Sequence, residues 1–127
     1  MTPERILPKS FQELILTSEK PILVDFYAEW CEPCRAFHPE VRQIAKEFAD
    51  TLITIRIDTD RKPKIAEECQ VTSIPSLLLF WKGKTILRMQ GNLPYDKIRG
   101  QIEQHLPCSC RLERARKAAE SGAGSLA

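Results

Sequence analysis

Ile22-Leu23-Val24-Asp25-Phe26-Tyr27-Ala28-Glu29-Trp30-Cys31-Glu32-Pro33-Cys34 decides how the rest of this 127-residue sequence is read. Its first seven residues are almost continuously apolar, as in a central strand buried on both faces, and Asp25 is the exception inside them. Beyond Cys34, Phe37, Val41, Ile44, Ala45 and Phe48 recur at helical spacing and predict one buried stripe on a long helix. Two thiols three positions apart therefore fall where a strand gives way to a helix, close enough to join within one turn. The first thiol meets free backbone N–H groups and the positive end of the helix dipole, and both favour the thiolate that attacks disulfides. A CxxC in this setting is a redox signal.

Working outward, Ser10 can cap a first helix through Phe11, Leu14 and Ile15 towards Thr17. Pro39 lies inside the long helix and predicts a kink. Thr51 to Ile57 is rich in β-branched residues and reads as a second core strand. Asp58-Thr59-Asp60 makes a turn, and Arg61 to Glu68 a short helix. Ile74-Pro75 precedes Leu77 to Trp81, and Lys82-Gly83 turns the chain back into Thr85 to Leu87, a hairpin. Gly91-Asn92 ends that strand, and Tyr95, Ile98, Ile102 and Leu106 mark a closing helix. The order is α-β-α-β-α-β-β-α, with a short strand near Ile6. It predicts an α/β architecture with helices on both faces of a mixed sheet. Residues 1–107 form one domain. Residues 108–127 form a tail in which Cys108-Ser109-Cys110 leads into a basic stretch with little apolar surface.

The net charge is +2, and residues 108–127 account for all of it with four basic and two acidic side chains. A balanced body gives no case for a nucleic-acid or membrane partner. No apolar run reaches the roughly 18 residues of a membrane span. The start, Met1 to Pro8, lacks the apolar core of a secretory signal, which points to a cytoplasmic setting. Five cysteines there are read as reduced, catalytic or metal-binding rather than structural.

Element order, Trp30-Cys31-Glu32-Pro33-Cys34, Ser73-Ile74-Pro75-Ser76-Leu77 and Gly91 together resemble the thioredoxin family over roughly residues 4 to 106. The resemblance implies a thioredoxin fold and a protein-disulfide reductase that needs no bound cofactor. Cys31 would be the exposed attacking thiol and Cys34 the deeper resolving thiol, with Asp25 as its proton acceptor. Trp30, Pro33, Ile74, Pro75 and Gly91 would form an apolar docking surface, with a cis bond before Pro75 and the Ile74 backbone pairing with extended substrate. Disulfide-containing proteins would be the substrates. A separate reductase, an NADPH-dependent flavoenzyme, would supply electrons to a monomeric protein.

Two positions depart from the family pattern. Glu32 replaces the usual glycine, with a small screened effect on Cys31 that Arg35 opposes. Thr54 stands where many relatives carry a lysine beside the buried aspartate, so the Asp25 pKa should rise further for want of an ammonium. Cys69 reads as a structural thiol. Cys108 and Cys110 remain open between a redox pair, a soft-metal site and inert thiols. His38 and His105 read as structural or solvated. Two rival functions also stand: a docking module whose redox chemistry is incidental, and a disulfide-forming oxidase, which a cytoplasmic setting disfavours.

Overall fold

The computed structural model describes residues 7–107, with side chains from Phe11 onward. Its elements are α1 (Leu7–Thr17), β1 (Ile22–Tyr27), α2 (Glu32–Glu47), β2 (Ile53–Asp58), α3 (Pro63–Glu68), β3 (Ser76–Trp81), β4 (Lys84–Gln90) and α4 (Tyr95–His105). The order is the one expected. The short strand near Ile6 and the 108–127 tail lie outside the described residues.

The sheet order is β2-β1-β3-β4. The α2 crossover makes β1 and β2 parallel, whereas β1–β3 and β3–β4 are antiparallel. Side chains alternate across β1 and sort the core into two layers. Ile22, Val24 and Phe26 pack with Phe11 of α1 and Ile65 of α3. Leu23 joins Phe37, Val41 and Ile44 of α2 and Ile98 and Ile102 of α4. By the same alternation Asp25 belongs to the layer under α2, the helix that carries the thiols.

Three local devices hold the frame. Lys82 and Gly83 both have positive φ, 52° and 84°, which suits a tight hairpin turn. Gly83 N–H donates to Ile15 O at 2.7 Å, which seats the turn on α1, and its φ of 84° is one that glycine adopts without strain. Arg88 of β4 donates to the carbonyls of Cys69 and Gln70 at 2.9 and 3.3 Å and closes the end of α3. Glu47 of α2 accepts from Arg99 Nε of α4 at 2.7 Å and also meets the Tyr95 hydroxyl.

Ser10 is not a cap. Helix α1 begins at Leu7, with Pro8 in its first turn, where a missing N–H leaves no bond unmade. The second strand starts at Ile53 rather than Thr51, because the N–H groups of Thr51 and Leu52 both donate to Phe48 O at 2.9 Å and close the end of α2. Helix α2 runs through Pro39, which lacks the N–H that would pair with Arg35 O. Ala45 is only half-buried, at the margin of the stripe.

Candidate functional site

Cys31 and Cys34 form a disulfide, with 5.2 Å between their Cα atoms. Cys31 is the N-cap of α2 with extended backbone, and its Sγ accepts the Cys34 N–H at 3.2 Å. Pro33 in the first turn suits the helix start. A thiolate at Cys31 would meet this donor and the helix dipole together. The expectation of an exposed Cys31 above a deeper Cys34 is corrected here. In the disulfide each residue is only 3% exposed, and both pack with Ala28, Tyr27 and Ile74. Glu32 and Arg35 are exposed, as expected.

The rim of the pair is built from three loops. Trp30 is 67% exposed and is held by its indole N–H, which donates to Asp60 Oδ2 at 2.8 Å. Asp60 is set in turn by its own N–H, which donates to Asp58 Oδ1 at 2.9 Å. The Ile74–Pro75 bond is cis, and Gly91 N–H donates to Pro75 O at 2.9 Å. That bond brings Gly91, at the end of β4, beside the loop that enters β3. Gly91 has φ of 87° and open space where a Cβ would be. Trp30, Pro33 and Gly91 are exposed, Ile74 is half-buried and Pro75 is buried.

Asp25 is 2% exposed, and burial raises its pKa above the usual carboxylate value. Thr54 is not its direct cross-strand partner. The parallel register sets Thr54 against Leu23 and Arg56 against Asp25. Arg56 Nε donates to Asp25 Oδ2 at 3.2 Å, while its guanidinium lies 3.8 Å above the Tyr27 ring. The expectation of an aspartate without a nearby cation is therefore overturned. Burial still dominates, but Arg56 pulls the Asp25 pKa back down through its hydrogen bond and charge. Asp25 Oδ1 is buried without a hydrogen-bond partner.

Sequence reasoning missed three residues here. The cation of the neighbouring strand stands at Arg56, two residues beyond Thr54, the position that counting back from Ile57-Asp58 matches to the family's lysine. Both positions face the same side, so alternation does not tell them apart. Asp60 left no signal beyond a turn. His38 was read as merely structural or solvated, yet it lines an open cleft of about 400 Å³ together with Cys34, Arg35, Glu29 and Arg56. Its i+4 spacing from Cys34 was the available clue. His105 stays peripheral, exposed with Nδ1 2.8 Å from Gln101 O. Cys69 is half-buried, and desolvation pushes its thiol up to about 11, out of nucleophilic range near neutrality. Cys108 and Cys110 lie outside the described residues. Among the described residues, no cluster of His, Cys, Asp and Glu could hold a metal ion.

Residues 3–104 match the family model described as Thioredoxin. Thioredoxin 1 of Chlorobaculum tepidum is 38% identical over 96 residues, covering 76% of this chain and 95% of that protein. The chloroplastic Thioredoxin Y of Oryza sativa subsp. japonica is 39% identical over 97 residues, which span 58% of its length. The crystal structure of oxidised mitochondrial Thioredoxin 3 from Saccharomyces cerevisiae superposes with a TM-score of 0.66 at 31% identity. It covers 74% of this chain and 87% of that one.

Proposed function

Because this chain belongs to the thioredoxin family and is a thiol–disulfide oxidoreductase, we propose that it reduces protein disulfides with Cys31 as the attacking thiol, Cys34 as the resolving thiol and Asp25 as the proton acceptor. The observation that carries the assignment is the Cys31–Cys34 disulfide at the N-terminus of α2, where Cys31 Sγ accepts a backbone N–H. Thioredoxins act on disulfide substrates and are themselves re-reduced by a reductase.

In the first step the Cys31 thiolate attacks one sulfur of the substrate disulfide. The substrate S–S bond breaks, one substrate thiolate leaves and takes a proton from water, and a mixed disulfide forms. In the second, the Cys34 thiol gives its proton to Asp25, and the resulting thiolate attacks Cys31 Sγ. The mixed disulfide breaks, the second substrate thiolate departs and takes a proton from water, and the Cys31–Cys34 bond is restored. Two electrons pass from the cysteine pair to the substrate. Exposed Trp30, Pro33 and Gly91 would receive the substrate beside Ile74 and Pro75, with the Ile74 backbone pairing to an extended segment.

Cys31→Ser should abolish reduction of a protein disulfide such as insulin, and Cys34→Ser should accumulate a mixed disulfide visible by mass spectrometry. Trapping through Cys34 in the Cys31→Ser protein would reverse the assignment. The electron donor is proposed to be an NADPH-dependent flavoenzyme, the protein a monomer, and its compartment the cytoplasm. No described helix is long and apolar enough to cross a membrane, and relatives include chloroplastic proteins.

A further inference from the structure

Asp25 is sealed under α2, yet in the proposed cycle it takes a proton from Cys34 at every resolution and must lose it before the next. A side chain that reaches both the buried layer and solvent would shorten that path. His38 is such a side chain. It stands four residues after Cys34, one turn along the same face of α2, and shares the open cleft with Cys34 and Arg56. Its ring is half-buried. Nδ1 is buried without a hydrogen-bond partner, which leaves Nε2 as the nitrogen in reach of solvent. Among the described residues, Asp25 Oδ1 and Thr54 Oγ1 are the other buried side-chain polar atoms without a partner. Arg56 links Asp25 and His38, donating from Nε to Asp25 Oδ2 at 3.2 Å and lining the cleft beside His38.

We propose that His38 is a proton relay that connects Asp25 to solvent, a role that rests on Asp25 accepting the Cys34 proton. As Cys34 is deprotonated during resolution, Asp25 passes the proton on to Nδ1 of the neutral ring through a water admitted between these two buried atoms, and Nε2 releases one to bulk water. The cleft beside them, about 400 Å³ and lined by His38, Arg56, Arg35 and Glu29, is large enough to supply that water. When the reductase opens the Cys31–Cys34 bond, the flow reverses. The Cys34 thiolate is protonated by Asp25, Asp25 by His38 Nδ1–H, and Nε2 takes a proton from water. One full cycle restores the starting tautomer.

The electrostatics suit the role. Burial lowers the His38 pKa, Arg56 of β2 and Arg42 of its own helix lower it further, and Asp25 of β1 raises it. Arg35 and Glu29 complete the charged groups lining the cleft. The ring is therefore neutral and ready to accept near pH 7. Asp25 shifts up and His38 shifts down from their usual values, which narrows the gap between their proton affinities.

The test is single-turnover reduction of a peptide disulfide, acid-quenched so that mixed disulfide and product are counted separately, in the wild type, His38→Ala, His38→Gln and Asp25→Asn. Both His38 variants should slow resolution relative to attack by about tenfold, less than the roughly 10²–10⁴ of a directly positioned acid–base group because water keeps some access. Exogenous imidazole should restore resolution in His38→Ala, a rescue that a purely structural histidine would not show. Wild-type resolution in both variants, or slow resolution that imidazole does not relieve, would overturn the relay. If Asp25→Asn is slowed while the His38 variants are not, only the relay falls. If Asp25→Asn resolves normally, the Asp25 assignment falls and the relay with it.

Discussion

Arg56 acts on Asp25 through a hydrogen bond and through charge, yet its own side chain is 35% exposed. Solvent therefore weakens its pull, and burial keeps the Asp25 pKa high. Arg56→Gln should push that pKa further up and move the pH profile of Cys34 resolution to higher pH. A profile that does not move would mean the pair has no part in the chemistry. The same imbalance links Asp25 to stability. Its folded pKa lies above the usual 3.8, so the folded chain binds the proton more tightly than the unfolded chain. Stability then falls as pH rises from the unfolded value through the folded one, and stays lower above it. Asp25→Asn should raise the thermal midpoint more at pH 8 than at pH 4. An equal gain at both pH values would rule out ionisation as the cause.

At the scale of elements, α2 carries both the chemistry and the core. Its Phe37, Val41 and Ile44 pack under the sheet while Cys34 and His38 reach the cleft. Phe37→Ala, at a fully buried position, should lower unfolding free energy by about 3–5 kcal/mol in denaturant titration. Gly91 tests the rim. Its positive φ makes Gly91→Val cost about 1–2 kcal/mol through the backbone, since open space awaits the side chain. That side chain would stand beside Pro75, so KM for a protein disulfide should rise more than for a small one. Apolar runs, β-branched content, helical spacing and turn residues made every described element legible, and the thiols, Asp25, Trp30, Pro75 and Gly91 were all read from motifs. What escaped was set between elements. The Asp25–Arg56 pairing depends on the register between β1 and β2, and the Trp30–Asp60 bond joins loops thirty residues apart. Neither leaves a local pattern.

For the whole molecule, the described body contains the complete proposed site, so deleting residues 108–127 should leave disulfide reduction intact. Loss of function on that deletion, with a Cys31/Cys34 double mutant still functional, would instead favour a docking module. Reducing the Cys31–Cys34 bond opens a very short loop. The chain-entropy contribution lost is about 2 kcal/mol, and thermal unfolding with and without reductant would read it. The strand order has a different consequence during synthesis. β1 lies between β2 and β3, and Phe26 finds its antiparallel partner only at Ser76, about fifty residues later. At about 5–20 residues per second the ribosome takes roughly 3–10 s to make that stretch. Throughout that interval an apolar strand with at least one unpaired edge trails from the ribosome, and a nascent chain stalled before β3 should be a strong client for chaperones that bind extended apolar segments.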